Sequence, residues 1–485
     1  MKPAASAEDS DAPSLSPSLP AAAAESAAVS TGGFQTRDNS IWNKDTNNWS
    51  PRVGFAWDLF GTQKLVMRAG FGIMYDRIYN NVFENIRFNP PFFSDNQIGP
   101  TKNGVTVGPL SSPGLYTYPF TSIASYVEGF APTPNPRHMD QNIATPYYEQ
   151  AHLGFQYEFA KGWVFEPEYV TTFGKKLLGL SDANTFNGRV ALGTACSTAT
   201  DVFVGCRPNP NVGADNYRSN GYGSNYNALQ LSVRKAFSAG MSFSASYTYS
   251  KALDDLSDLF LNGAGARPVD NENHHYDYGP ADFDTRQRIV STVSYELPFM
   301  KDNRWLGGWG TNAIVSWQTG HPFTPFVGNV GVGDFNKDGY RTDRMVPLAA
   351  PTDTYTDGNP AKDGVLKPEL WGRDPSTGAV TYFTCPASEN EGLWCNAPIG
   401  RNSVYGPGGV NVDFNITKRF KITERSGLTF QANFFDLFNH PNFLNPTAGN
   451  AGSTNIRNAD FSKSRATWGD SGGHRVTQLA LRFDF

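Results

Sequence analysis

The sequence contains no uncharged apolar run near the ~18–20 residues that a membrane-spanning helix needs, and its mean hydropathy is negative, −0.43. A bundle of membrane helices is thereby excluded. Charge is also scarce: Asp, Glu, Lys and Arg make up 18% of 485 residues, against a usual ~25%. The net charge of −5 offers no basic footprint for nucleic acid. There are four cysteines, with no histidine beside them at metal-ligand spacing. The opening MKPAASAEDSDAPSLSPSLPAAAAESAAVSTGG lacks the basic start and the roughly 7–15-residue apolar core of a signal peptide. Glu8, Asp9 and Asp11 follow almost at once, and prolines interrupt what remains. This composition predicts disorder, and it leaves two expectations: the chain is not exported, or its true beginning is missing.

What is abundant points elsewhere. Aromatics reach 14% and glycine 48 residues. In MSFSASYTYS, Met241, Phe243, Ala245, Tyr247 and Tyr249 alternate with Ser242, Ser244, Ser246, Thr248 and Ser250. Period two is a strand signal, because successive side chains leave a strand on opposite faces. Alternation predicts eleven strands: 51–59, 65–75, 147–159, 163–171, 226–235, 241–250, 287–297, 309–319, 410–420, 428–436 and 475–485. Most are near the ~9–11 residues of a tilted membrane strand. They form five pairs with short turns between the two members, and a last strand follows alone. The links between pairs are long: 76–146, 172–225, 251–286, 320–409 and 437–474.

Strict alternation of short and long connections fits an all-β transmembrane antiparallel barrel, with short periplasmic turns and long extracellular loops. The greasy face then meets lipid and the hydroxyl face lines a wet lumen. A chain that ends in the periplasm and has an odd strand count starts outside the cell, which implies that upstream strands are absent. The expected organisation is a disordered Ala/Ser/Pro-rich start and loop remnant over 1–46 and the C-terminal part of a barrel over 47–485. Cys196 with Cys206 and Cys385 with Cys395 share one spacing and fall in long links. Two small disulfide loops in an oxidising compartment are expected; four unrelated thiols are the alternative.

Six stretches carry a family resemblance: 47–77 (NNWSPRVGFAWDLFGTQKLVMRAGFGIMYDR), 226–255, 282–299, 406–425, 428–443 (LTFQANFFDLFNHPNF) and the terminal RVTQLALRFDF. Together they resemble the C-terminal barrel region of TonB-dependent outer-membrane receptors of the Oar-like, acidobacterial type. The resemblance implies about 11 strands of a larger, ~22-strand barrel in the outer membrane. It implies Phe485 as the signal read by the barrel-assembly machinery, and a TonB complex as partner only where a plug and TonB box are present. The expected function is binding and uptake of an extracellular nutrient without chemistry and with no required cofactor. The ligand, whether small molecule, glycan or peptide, stays open. A secreted or surface all-β glycan-binding protein is the alternative.

Several local motifs bear on chemistry. GDFNKDGYRTDR places Asp334, Asn336 and Asp338 at alternate positions before Gly339, with the Tyr340 carbonyl and Asp343 following. Such oxygens suit calcium. Met345 stands where an EF-hand carries its bidentate Glu, so a helix-loop-helix sensor is excluded. A solvated Asx-Gly turn is the plainer reading. GDSGG resembles a serine-protease nucleophile stretch, but Ser471 lies too near the end for that fold, and no histidine has a triad setting. No catalytic residue is expected. NHHYDYGPADFDTRQR predicts ion pairs among Asp282, Asp284, Arg286 and Arg288 near the wall, with His274, His275 and Asp277 at no standard metal spacing. Asn439-His440-Pro441 predicts a turn. Glu166 and Glu168 lie opposite Trp163 and Phe165, which points them into the lumen.

Overall fold

The structure, a computed structural model, describes residues 43–79, 82, 101–102, 105–106, 136–185, 207–209, 214–258, 268, 274–298, 303, 305–327, 343–345, 347–380, 399–423, 426–446, 454–467 and 473–485. Eleven strands dominate it: β1 (Arg52–Asp58), β2 (Leu65–Tyr75), β3 (Tyr147–Ala160), β4 (Trp163–Asp182), β5 (Asn216–Ser238), β6 (Met241–Asp254), β7 (Gln287–Glu296), β8 (Trp309–Gln318), β9 (Gly409–Lys421), β10 (Gly427–Phe435) and β11 (Val476–Asp484). Each pairs antiparallel with the next in chain order, so the sheet is a simple meander. Every expected strand is present, and every long link leaves from the same end. At the other end the turns are tight. Ala239 (φ 51°) and Gly240 (φ 79°) alone connect β5 to β6, the two-positive-φ turn whose twist suits a hairpin.

Register assigns the faces. Val53, Phe55 and Trp57 share a face with Phe71, Leu153 and Phe155, and this face continues through Leu231, Tyr247, Val293, Val315, Phe414 and Phe430 to Leu479. It is exposed: Val53 is 69% and Leu479 67% accessible. A soluble sandwich would bury such a face, so this one is built for lipid. The opposite face carries Ser242, Ser244, Ser246 and Thr248 beside Arg234, Glu166 and Glu168, as a watery lumen demands. Among the described residues β1 pairs only with β2 and β11 only with β10, so the sheet is not closed. No helix among the described residues is long and apolar enough to cross a membrane, which says nothing of strands.

One pair of strands exceeds the sequence expectation. β4 has 20 residues and β5 has 23, whereas alternation predicts 163–171 and 226–235. The pairing register shifts between Gly174 and Leu177 and again before Leu178, and Lys176 sits at φ 53°. Each shift exchanges the faces, so a period-two reading loses the strand there. The surplus length projects past the bilayer at the long-link end. Arg137–Met139 adds to it as a short parallel strand beside Asn216–Arg218.

The long links fold on their own core. Phe323, Val365, Leu366, Trp371, Val404, Ile456 and Phe461 form one buried cluster from links 319–408 and 436–475. Val82, Met139 and Ile143 form another, packed on Leu178 and Leu180 of the projecting strand.

Candidate functional site

Two surfaces qualify: the polar inner wall and the rim where the links join the strands. On the wall, large polar side chains lie flat over glycines. His152 Nδ1 is 3.0 Å from Glu168 Oε1, and the imidazole covers Gly70, where an added Cβ would meet Nε2 at 2.5 Å. Gly154 leaves the room that Glu168 occupies, and Gly72 that of Arg52. Glu166 accepts from Ser232 Oγ at 3.2 Å and faces Arg234 at 3.4 Å. Both glutamates thus lie on the inner face. Gly70→Val should cost about 1–3 kcal/mol by overpacking, read from denaturant midpoints in detergent. His152→Ala combined with it should restore most of the loss, because the ring is what the new methyls strike.

Further along the wall, three amide hydrogen bonds cross four strands. Asn312 Nδ2 donates to Asn415 Oδ1 at 2.9 Å, Asn415 Nδ2 to Asn433 Oδ1, and Asn433 Nδ2 to Gln478 Oε1 at 3.3 Å. Alternation places each of these residues inward. Only register puts all four at one height.

The rim is held by buried charge. Arg401, 3% exposed, pairs with the Asp254 carboxylate. It also donates Nε to the Asp277 carbonyl at 2.7 Å, Nη2 to the Asp254 carbonyl at 2.6 Å, and Nη1 to Ser257 Oγ at 3.1 Å. Arg344 pairs with Asp277 and donates to the Tyr276 carbonyl at 2.9 Å. Burial raises the Asp254 pKa, and the Arg401 guanidinium pulls the other way. On the projecting ribbon, Tyr217 is pushed up to about 12, by burial first and then by Asp140 and Asp215.

The sequence pattern of the outer membrane beta barrel domain family matches residues 4–478. The chain belongs to this family. It is an outer-membrane β-barrel chain, all-β, with its apolar face toward lipid. No curated protein matches it. Solved structures with similar strand architecture include the outer membrane transporter YddB from Escherichia coli (11% identity, TM-score 0.45, 90% of this chain on 40% of that one). The siderophore receptor PirA from Pseudomonas aeruginosa matches at 9% identity and TM-score 0.34, 90% on 42%. BauA, the ferric preacinetobactin receptor from Acinetobacter baumannii, matches at 9% identity and TM-score 0.40, 90% on 36%. The chain spans about two fifths of the length of these structures.

In this barrel the polar-aromatic segment 273–288 is divided differently from the sequence expectation. Asp284 pairs with Arg286 at 3.4 Å, as expected. Asp282 instead faces Arg401 at 3.7 Å and accepts from Asn402 Nδ2 at 2.5 Å. Arg288 has no ion-pair partner among the described residues. It sits on β7 opposite Thr248 and Gln318, where no carboxylate is in register. His274 stacks on Tyr222 at 4.4 Å between ring centroids. Arg344 and Arg401, the anchors of the rim, come from a distant link, and no local signal marks them. Asp436 and Asn439 take positive φ, 49° and 55°, and the Asn439 carbonyl oxygen of the side chain receives the Arg475 N–H at 2.8 Å. That turn is a clasp between β10 and β11.

Asp334, Asn336, Asp338 and Tyr340 lie outside the described residues, as do Cys196, Cys206, Cys385, Cys395 and Ser471. Asp343 begins the short strand Asp343–Arg344, paired with Phe326–Val327. Phe485 is 98% exposed, its ring 5.9 Å from that of Phe483. Among the described residues no three His, Cys, Asp or Glu side chains cluster as metal ligands.

Proposed function

We propose that this chain is the C-terminal barrel portion of a TonB-dependent-receptor-like protein that binds an extracellular nutrient and admits it across the outer membrane. The observation behind this reading is the placement of all folded long links at one end of a wall that is apolar outside and polar inside. Ligand recognition falls to those links and to the inner wall, with no chemical step. Energy coupling in such receptors belongs to a plug and a TonB box, and the present chain contributes wall.

Strand direction limits what completes that wall. β1 and β11 run the same way, so joining them directly makes a parallel seam, and a second copy in the same membrane orientation makes two. An antiparallel closure takes an odd number of further strands. Their need is physical, since each unpaired backbone group left in hydrocarbon costs several kcal/mol.

In the same reading, calcium at Asp334, Asn336, Asp338, Tyr340 and Asp343 and disulfides Cys196–Cys206 and Cys385–Cys395 fasten the links, and Phe485 is the assembly signal. Non-reducing peptide mapping tests the disulfides, a calcium-dependent shift in thermal unfolding tests the metal, and deletion of Phe485 with assembly followed by heat-modifiability tests the signal.

Fractionation and surface proteolysis test the topology. The chain should sediment with outer membranes and resist carbonate extraction. Trypsin added to intact cells should cut only within the long links and spare Lys161 and Lys235 at the tight-turn end. A soluble chain, or cleavage at Lys161, would end this reading.

A further inference from the structure

The amide bonds on β8–β11 belong to a longer row. By register Ser242, Ser294, Asn312, Asn415, Asn433 and Gln478 stand side by side on six successive strands, all facing inward. At ~4.8 Å per strand the row is roughly 24 Å long. It carries no charge. Asn312, Asn415 and Asn433 each spend one of their two N–H groups on the next amide and Gln478 accepts the last, so each asparagine keeps a second N–H, and each acceptor a carbonyl lone pair, for a ligand. At the ends of the amide run, Asn312 Oδ1 and Gln478 Nε2 have no partner among the described residues.

The adjacent row, toward the long links, is different. Ile314, Phe435 and Val476 face inward there and are 48%, 40% and 42% exposed. Large apolar side chains are unexpected on a face meant for water, and they sit one step above the amides. Asp413 is the one charge among them, and its Oδ1 already receives Asn411 Nδ2 and the Asp436 N–H, each at 3.0 Å. The row on the other side holds Gly310, Thr417, Gln431 and Ala480, all uncharged, and one carboxylate, Glu296 on β7 opposite Gly310.

We infer that this band is a docking lane for a neutral oligosaccharide. The inference rests on the uptake reading above and names its substrate class. Hydroxyls both donate and accept, as carboxamides do. The apolar faces of sugar rings suit Ile314 and Phe435, while the amides meet the ring edges. An anionic chain lying along the band meets two carboxylates, Asp413 on one side and Glu296 on the other, and the nearest inward arginines, Arg419 and Arg482, stand one row further toward the tight turns. A row of evenly spaced, equivalent positions also lets a chain step along the wall without one deep trap.

The test uses the full chain in detergent, titrated calorimetrically with maltohexaose, cellohexaose and xylohexaose, and with hexagalacturonate as the anionic counterpart. At least one neutral hexaose should bind about tenfold or more tightly than hexagalacturonate, a difference of about 1.4 kcal/mol. Gln478→Ala, at an exposed edge position, and Asn415→Ala with Asn433→Ala should each weaken that binding, the double variant by about tenfold. Unchanged heat-modifiability on gels shows that the variants are folded. Ser246→Ala, on the same face of β6 but in another row, should bind as the parent does. Tighter binding of hexagalacturonate, failure of all three neutral hexaoses, or undiminished binding in the folded variants overturns the lane. Those results leave the outer-membrane reading intact, because sedimentation and surface proteolysis decide that independently.

Discussion

Leu231→Arg should lower the unfolding free energy in lipid by about 2–4 kcal/mol, the cost of a cation at the bilayer midplane on a barrel's lipid face. Leu231 lies mid-strand on β5, in register with Pro167 and Tyr247 on the outward face. Gln230, one residue earlier, pairs with Glu168 and Thr248 on the inward face. Gln230→Arg should therefore stay within about 0.5 kcal/mol of the parent, as surface changes usually do. The pair is a direct reading of which face meets lipid, taken from denaturant titrations in vesicles. Equal costs for the two substitutions would show that the face assignment is wrong. Reversed costs would turn the wall inside out.

Arg401→Ala should be the most damaging single change at the rim. It removes a buried cation that pairs with Asp254 and donates to the carbonyls of Asp254 and Asp277 and to Ser257 Oγ. Breaking a buried pair from one side typically costs about 3–5 kcal/mol, because the remaining charge stays buried and unpaired. The loss should be local. Limited proteolysis should open the links around 274–284 and 399–402, while the strands keep their heat-modifiable mobility. Arg401→Met with Asp254→Leu should recover part of the loss, since no charge is then left alone. The recovery stays partial because the two backbone carbonyls lose their donor. Rim cleavage that is unchanged in Arg401→Ala would remove this network from the account of how the links are held.

The strand count, the order of short and long connections and the two faces were legible in the sequence for one reason. Each of these strands must be apolar toward lipid and polar toward water, so each repeats every second residue. The tight turn at Ala239–Gly240 was legible too, since hairpins with two positive-φ residues favour glycine. The reading failed where the period failed. Around Gly174–Leu178 two register shifts interrupt the alternation, and more than half of β4 and of β5 lies outside the expected ranges. It also failed where partners are remote. Local spacing points Asp282 to the arginines of its own segment, but its partner Arg401 lies more than a hundred residues away, and nothing near Asp282 announces it.

The sequence by itself determined that this is a sheet with one lipid face and one wet face, because the period of hydrophobicity is a local property of the chain. Only the tertiary structure decided what stands beside what. Inward residues on separate strands look alike until pairing sets their heights, and one residue of slippage would move them all to the other face. Backbone hydrogen bonding between strands fixes that register. It aligns Asn312, Asn415, Asn433 and Gln478 in one row, seats His152 over Gly70, and brings Arg401 to Asp254.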